Sequence, residues 1–246
     1  MLSKAQNKHI RSLTQQKFRN EYRQFIAEGH KIALEWLQSA WHLKTIVATE
    51  NWINKYRDDI RRHPEAELIV ASESEIATVS SLQAPGEVLV VAVLPDSAPI
   101  SDKISWCIAL DGIQDPGNMG TIIRIADWFG ISDLVCSPGC VDVYNPKVVQ
   151  SAMGGHLRVR IHHRDLVNFL PSLNIPIYAA VLGGTDVYEV GRPASGVLVI
   201  GNESRGISTE VADIASHLVT IPRKGGAESL NAGVSAGILC ALMLPR

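Results

Sequence analysis

The sequence lacks the patterns that mark metal-binding, disulfide-stabilised and membrane proteins. Its four cysteines form no Cys-x-x-Cys pair and have no histidine at zinc-ligand spacing, so we expect neither a metal site nor a disulfide framework. The longest apolar segment, residues 234–244, is too short to cross a bilayer, and the lysine-containing N-terminus has no apolar signal sequence. These absences predict a cytoplasmic protein without a metal cofactor and without a membrane partner.

Two nucleotide-binding patterns are also missing. None of the predicted strands is followed by Gly-x-Gly-x-x-Gly, and Gly-x-x-x-x-Gly-Lys-Ser/Thr does not occur. Dinucleotide and P-loop sites therefore have no support. The composition does provide material for a sizeable core, because 46% of the residues are hydrophobic and 20% are charged.

The formal net charge of −2 conceals an uneven distribution of charge. Residues 1–63 contain 12 Lys and Arg residues but 6 Asp and Glu residues, whereas the rest of the chain has an acidic excess. A basic N-terminal part is typical of a module that binds a polyanion. A solvated helical face with a chance excess of cations explains the same distribution equally well.

Strand-like and helix-like segments alternate along the chain, which predicts an α/β fold. The alternation breaks at residues 96–102, where prolines and small polar residues predict a linker. We therefore expect a small α/β domain at residues 1–95 and a second domain at residues 103–246. Six apolar strands separated by helices predict a mostly parallel sheet in the second domain, with strands near residues 106–110, 134–136, 158–161, 177–182, 197–200 and 218–221.

Polar and glycine residues gather after four of these strands, where an open parallel sheet binds its ligands. The first loop leads to Asn118, which suits a helix N-cap, and then to Arg124, which interrupts an apolar helical pattern. A glycine pair follows at residues 183–184, Gly201-Asn202-Glu203 follows a fully apolar strand, and residues 221–231 form a glycine-rich turn before a helix. The structural alternatives are a helix cap with a solvated arginine in the first loop, and a glutamate that caps the following turn.

Together these segments resemble the SpoU (TrmH-type) branch of the SPOUT RNA methyltransferases. The family's first motif separates an asparagine and an arginine by five residues, as in Asn118 and Arg124. Its second motif is an apolar strand followed by Gly-Asn-Glu and a glycine, as in residues 197–206, and its third is Ile-Pro, a glycine-rich turn and Ser-Leu-Asn, as in residues 221–231. The resemblance covers about residues 103–246. Through residues 25–29 and 82–93, the N-terminal half resembles, less strongly, the small RNA-binding α/β domain often fused to these enzymes.

The resemblance implies a domain with a deep trefoil knot that binds S-adenosylmethionine, methylates a ribose 2′-hydroxyl of RNA and forms a homodimer. It implies a catalytic site made of Asn118, Arg124, Glu203, Ser229 and Asn231. It also implies that the cofactor is bound by Leu182, Gly183, Ile200, Gly201, Asn202, Ile221, Ser229 and Leu230. Arg124 would either activate the hydroxyl or bind the neighbouring phosphate, and no metal is needed.

The basic N-terminal domain favours ribosomal RNA as the substrate. The alternatives are a tRNA ribose 2′-O-methyltransferase and a catalytically idle RNA-binding protein of the same fold. The chain departs from the family after the last motif, where Ala232-Gly233 replaces the valine and serine of many relatives and predicts a looser helical turn. His162-His163 lies outside the motifs and is interpreted as a surface pair.

Overall fold

The computed structural model describes residues 1–96, 99–100 and 104–245. Two compact units divide the chain. The first comprises Met1–Asp96 together with Tyr144–Leu157, and the second comprises the rest of the described residues. The linker expected at residues 96–102 stays a prediction, because residues 97, 98, 101 and 102 lie outside the described part of the chain.

The first unit contains a sheet of four strands: β1 (Gln24–Glu28), β2 (Leu43–Ala48), β3 (Glu67–Val70) and β4 (Val88–Val93). Their spatial order is β1-β4-β2-β3, in which β2 and β3 run parallel and the other neighbours antiparallel. The apolar side chains of β4 point alternately into two cores, one on each face of the sheet. Strand β4 therefore contributes side chains to both cores of this unit.

Helices supply the other side of both cores. They are α1 (Lys4–Ser12), α2 (Gln16–Tyr22), α3 (His30–Gln38), α4 (Glu50–Lys55), α5 (Arg57–Ile60) and α6 (Glu73–Val79). Helices α4 and α5 are separated at Tyr56, whose φ of −116° and ψ of 30° leave the helical region. The alternation of strands and helices predicted for this half is confirmed.

The second unit contains a sheet of six strands: β5 (Trp106–Asp111), β6 (Asp133–Cys136), β7 (Arg160–His163), β8 (Ile177–Asp186), β9 (Gly196–Gly201) and β10 (His217–Thr220). The spatial order is β10-β8-β9-β5-β6-β7, and every paired neighbour runs parallel. The predicted parallel sheet is confirmed. The remaining helices are α7 (Pro116–Trp128), α8 (Pro146–Ala152), α9 (Leu166–Phe169), α10 (Val187–Val190), α11 (Thr209–Asp213) and α12 (Ala232–Met243).

Strand β8 is longer than the sequence predicts. We expected it to end at Gly183-Gly184, but it continues through both glycines to Asp186. The reason is the close approach of β10, because a Cβ atom on Gly184 would lie 2.4 Å from the backbone oxygen of Leu218. The β8–β10 register shifts next to that point, between Leu218 and Val219.

Helix α8 belongs to the first unit although it follows β6 in the chain. Val149 is buried in the core of the first unit, and Tyr144, Met153 and Leu157 pack against the same core. The ring of Tyr144 lies 4.7 Å from the ring of Phe25, measured between centroids. Residues 144–157 therefore complete the first unit.

The α/β class agrees with the expectation, whereas the expected domain bounds and the trefoil knot stay predictions. Among the described residues, none of the helices combines the length and the apolar character needed to cross a membrane.

Candidate active site

Three segments that are far apart in the sequence meet through the side chain of Asn118. The Asn118 amide nitrogen donates a hydrogen bond of 2.9 Å to Glu203 Oε1. Its side-chain oxygen accepts a hydrogen bond of 2.7 Å from Asn231 Nδ2. These partners lie 85 and 113 residues along the chain, so folding brings all three expected motifs together. Asn118 is 8% exposed, which shields this link from competing water.

The start of α7 differs from the expectation. Asn118 does not cap the helix; Asp115 does, with its side chain accepting a 2.8 Å hydrogen bond from the backbone nitrogen of Asn118. Pro116 occupies the first turn, where a missing N–H causes no loss. Because Asp115 satisfies the helix terminus, the Asn118 side chain is free to join Glu203 and Asn231. The Asp-Pro pair in the sequence is the signal that identifies this cap.

Glu203 connects the loop after β9 with the loop before α7. Its carboxylate accepts hydrogen bonds from the backbone nitrogens of Gln114 and Asp115, at 3.3 and 3.2 Å, in addition to the one from Asn118. Burial alone would raise the pKa of Glu203, but these hydrogen bonds outweigh it and leave the pKa below its usual value. Glu203 is therefore ionised at neutral pH, and its charge holds the loop before α7 in place.

The loop that carries Glu203 is itself tightly built. Asn202 accepts hydrogen bonds from the backbone nitrogens of Ser204 and Arg205, and its amide donates to the Gly112 oxygen at 2.7 Å. A Cβ atom on Gly201 would lie 2.3 Å from the backbone of Gly206, so this turn requires glycine. Asn202 therefore shapes the end of β9.

Asn231 caps helix α12. Its side-chain oxygen accepts hydrogen bonds from the backbone nitrogens of Gly233 and Val234 at 2.9 and 3.2 Å, while its amide reaches Asn118. Gly233 does not loosen this turn. It lets α12 approach α7, because a Cβ atom there would lie 2.8 Å from the Thr121 side chain. The departure from the family pattern thus has a packing role in this chain.

Two of the expected catalytic residues remain outside this network. The Arg124 side chain is exposed and has no hydrogen bond or ion pair with any residue that the structure describes. Ser229 is likewise exposed and unbonded within the described ranges. Arg124 lies six residues beyond Asn118 on α7, about 9 Å along the helix axis. Its guanidinium is therefore available to a ligand.

The residues expected to bind the cofactor lie at the C-terminal parts of three adjacent strands. Leu182 and Gly183 are in β8, Ile200 and Gly201 end β9, and Ile221 follows β10. Leu182 is 73% exposed, and Leu230, which precedes α12, is also exposed. Cβ atoms built on Gly183, Gly225 and Gly226 would meet nothing within 4 Å, so their backbone is open. Exposed apolar side chains beside open backbone suit an adenosine group, which needs a hydrophobic surface and hydrogen-bonding backbone.

One reactive group near the site was not anticipated. A hydrogen bond from the Cys136 thiol, assisted by Ser137 and by the backbone at Gly112 and Ile113, lowers the pKa of Cys140 to about 7 against the effect of burial. The Cys140 sulfur also donates to the backbone oxygen of Leu110 at the end of β5. The other three cysteines, Cys107, Cys136 and Cys240, are buried.

The interpretation of His162-His163 as a surface pair is wrong for His162. This side chain is buried and its Nε2 lies 2.8 Å from a carboxylate oxygen of Asp133, which is also buried. Arg160 forms an ion pair with the same carboxylate. Burial alone would raise the pKa of Asp133, but the hydrogen bonds from these partners have the larger effect and leave the pKa below its usual value. The cluster fixes β6 against β7 and belongs to the structure of the sheet.

Comparison with known proteins gives two family matches. Residues 105–241 match the SpoU rRNA Methylase family, and residues 4–90 match the MRM3-like substrate binding domain. The chain is 27% identical to the 23S rRNA (guanosine(2553)-2′-O)-methyltransferase RlmP of Bacillus subtilis, over 97% of this chain and 96% of the relative.

Two solved structures share the complete architecture. A TrmH-family protein from Porphyromonas gingivalis is 36% identical, with a TM-score of 0.86 and coverage of 98% of this chain and 97% of that one. An AdoMet-bound rRNA methyltransferase from Sinorhizobium meliloti is 30% identical, also with a TM-score of 0.86, and coverage is 98% and 94%. In both cases the similarity extends over both units of the chain.

Proposed function

Because this chain belongs to the SpoU rRNA Methylase family, we propose that it transfers a methyl group from S-adenosylmethionine to a ribose 2′-hydroxyl of ribosomal RNA. The observation that supports this most directly is the hydrogen-bonded connection from Glu203 through Asn118 to Asn231, which joins the three motifs at one edge of the sheet. The similar Bacillus subtilis protein is a 2′-O-methyltransferase of 23S rRNA, which favours ribosomal RNA over tRNA.

The reaction forms a bond between the ribose oxygen and the methyl carbon, while the bond from that carbon to sulfur breaks. When bound, the cofactor supplies an electrophilic methyl group on a sulfonium. Leu182, Leu230 and the open backbone at Gly183 would hold it. The proton of the 2′-hydroxyl leaves as the oxygen attacks and passes to an acceptor, for which an oxygen of the neighbouring phosphate or a water molecule is available.

We assign Arg124 to the RNA phosphate next to the reacting ribose. A guanidinium retains its proton in nearly all protein environments and pairs with phosphate through two parallel N–H groups. Arg124 is exposed and has no protein partner among the described residues, as a phosphate-binding group requires. Activation of the hydroxyl by Arg124 is the alternative. Asn118, Glu203 and Asn231 would keep α7 and its neighbouring loops in the geometry that presents Arg124, with Ser229 contacting the substrate or cofactor.

We also propose that the protein is a cytoplasmic homodimer that associates through its second unit. Helix α12 is apolar on every side, yet Val234 is 50% exposed and Ala241 is exposed on the same face. Trp128 at the end of α7 is 82% exposed. Apolar surface of this kind is usually covered by a partner. Light scattering should give the mass of a dimer, and Val234→Asp should shift it toward the monomer; a monomeric wild-type protein would contradict the proposal.

Two measurements test the proposed activity. Calorimetric titration should show binding of S-adenosylmethionine and S-adenosylhomocysteine, and lack of binding to either would exclude the proposed reaction. Mapping of 2′-O-methyl groups in cellular RNA, with and without the gene, should then show the loss of one site in ribosomal RNA. Loss of a tRNA site would identify the tRNA enzyme, and an unchanged map with intact cofactor binding would favour the idle RNA-binding protein.

A further inference from the structure

Helix α1 presents a row of cations on its solvent-facing side. Lys4, Lys8 and Arg11 follow one another at intervals of four and three residues, so they lie on one face of the helix and span about 10 Å along its axis. Ile10, by contrast, is buried in the core of the first unit. All three cations are exposed, and none forms an ion pair or side-chain hydrogen bond within the part of the chain that the structure describes.

Two adjoining grooves run along this row. Their volumes are about 500 and 350 Å³, and both are lined by Lys8 and Arg11. Phe18 and Thr78, near the end of α6, also line the larger groove, and Lys4 lines the smaller one. Taken together, the described residues that line the two grooves contribute cations, hydroxyl groups and amides but no carboxylate.

One of the residues that line the larger groove, Phe18, stacks on a second aromatic ring. The rings of Phe18 and Tyr22 are nearly parallel, with an interplanar angle of 12° and centroids 6.1 Å apart. The ammonium group of Lys17 lies 5.7 Å from the centroid of Phe18. Phe18 is partly exposed and Tyr22 is exposed, so both offer ring surface to a ligand. A planar base stacks on such rings, while a neighbouring cation holds its phosphate.

The helix that carries the three cations is held in place by hydrogen bonds. Helix α1 is tied to α6 by a hydrogen bond between the Asn7 and Thr78 side chains, and Glu75 accepts one from the backbone nitrogen of Leu2 at 3.0 Å. The start of α1 is closed by a capping box between Ser3 and Gln6. The cations therefore sit on a fixed surface, which lowers the entropy cost of binding a polyanion.

We propose that these grooves, lined by Lys4, Lys8, Arg11 and Phe18, bind the phosphate backbone and one unstacked base of the RNA substrate; this inference rests on the proposed function. The family match of this half names only a substrate-binding domain, without assigning a surface. A merely solvated face accounts for exposed cations, but not for their alignment along grooves whose described lining has no carboxylate and includes a stacked aromatic ring.

The test measures RNA affinity at several salt concentrations. The probe is a transcript of large-subunit ribosomal RNA. The combined variant Lys8→Gln, Arg11→Gln should raise the Kd on the order of ten-fold near 0.15 M salt and reduce the slope of log Kd against log salt by about 1 to 2, because two phosphate contacts are lost. Phe18→Leu should raise the Kd by roughly ten-fold without changing the salt slope, because stacking is lost but no charge is.

A matched control removes the same charge from elsewhere in the first unit. Lys44→Gln with Arg62→Gln neutralises two exposed cations that do not line the grooves, and it should leave the Kd within two-fold of wild type. An unchanged Kd in the Lys8/Arg11 variant, or an equal loss in the control, would overturn the proposal. Thermal melting confirms that each variant is folded.

The two proposals can fail separately. If the proposed activity is wrong, the wild-type protein does not bind S-adenosylmethionine or methylate RNA. If only the groove is wrong, the wild-type protein methylates its substrate and the groove variants bind RNA as tightly as the wild type does. Titration with S-adenosylhomocysteine should give the same Kd for all variants if the groove acts on RNA alone.

Discussion

Asn118 and Arg124 lie on the same helix, but Asn118 is buried and hydrogen-bonded whereas Arg124 is exposed to solvent. Each polar atom of the Asn118 side chain has a protein partner, which makes it a structural joint between Glu203 and Asn231. Arg124 has none within the described chain and projects a full charge into solvent. Loss of Asn118 would disturb the architecture of the site, whereas loss of Arg124 removes a group that acts on a ligand.

We therefore predict that Arg124→Ala leaves the melting temperature unchanged and reduces methyl transfer by at least about 100-fold, because the phosphate next to the reacting ribose is no longer held in position. Arg124→Lys should retain an intermediate activity, because it keeps the charge but loses the paired N–H groups. Single-turnover methylation with labelled cofactor measures both variants. Full activity of Arg124→Ala on the true RNA substrate would refute the assignment.

Cys140 provides a prediction about pH. Because its pKa is lowered to about 7, the thiolate forms above that pH, and alkylation by iodoacetamide should become half-maximal near pH 7. Burial raises the pKa of Cys107 and Cys240 to about 12, so they should stay unmodified at the same pH. Mass spectrometry of the labelled peptides distinguishes the four thiols.

The control for this prediction is Cys136→Ala, which removes the hydrogen bond that lowers the pKa of Cys140 most strongly. In that variant the midpoint of labelling should move upward, toward the ordinary thiol value. Two results would contradict this prediction: a labelling midpoint of Cys140 at the ordinary thiol pKa in the wild-type protein, or the same midpoint in the wild type and in Cys136→Ala.

At the scale of the element, strand β8 depends on one glycine of a pair. Gly184→Ala would force a Cβ atom to within 2.4 Å of the Leu218 backbone oxygen, so we predict a loss of about 1–3 kcal/mol in the free energy of unfolding. Gly183→Ala is the matched control, because its Cβ atom meets nothing within 4 Å and stability should change by less than about 0.5 kcal/mol. Urea unfolding followed by circular dichroism compares the two.

The same pair separates stability from function. Gly183 is an expected cofactor-binding residue, so Gly183→Ala should weaken S-adenosylhomocysteine binding while leaving unfolding almost unchanged. If both substitutions destabilise the protein equally, the close approach of β10 is not the reason why residue 184 is a glycine.

The elements that the sequence predicts well are those with strong local signals. The unbroken apolar runs of β4, β5 and β9 identify buried strands, and the spacing of Ile32, Ala33, Trp36 and Leu37 identifies α3. The end of β8 was misplaced because glycines usually end a strand, and only the neighbouring β10 explains their presence inside one. The short helices α10 and α11 have too few residues for a periodic pattern.

The candidate site, like the fold, could be predicted from the sequence only where it has a local signal. Its residues were identified from motif resemblance, but the bonds among Asn118, Glu203 and Asn231 span 85 and 113 residues and have no local signature. The Asp115 cap does have a local signature, the Asp-Pro pair, although Asn118 is also a residue type that favours the N-cap position. The burial of His162 depends on its pairing with Asp133 across two strands, which sequence spacing does not reveal.

At the scale of the whole molecule, the first unit is not a continuous stretch of chain. A fragment of residues 97–246 would keep residues 144–157 but lose the core that covers them. We predict that this fragment aggregates or melts at a lower temperature than the full chain, because Val149, Tyr144 and Met153 become exposed to water. Light scattering and hydrogen exchange of residues 144–157 provide the measurement.

Polar substitution of the uncovered surface serves as the control. The fragment with Val149→Ser and Met153→Ser should be more soluble than the unmodified fragment, while the same pair of substitutions in the full chain should destabilise it. A soluble unmodified fragment in which residues 144–157 stay as protected as in the full chain would show that this segment does not need the first unit.

The return of residues 144–157 to the first unit also limits the order of events on the ribosome. Domains often fold one after another as they are synthesised, beginning at the N-terminus. Here the first unit lacks Val149 and Tyr144 until β5, α7 and β6 of the second unit have already been translated. The first unit therefore stays unfinished while the first strands of the parallel sheet are synthesised, and a ribosomal pause just before residue 144 would prolong the exposure of that unit to chaperones and proteases.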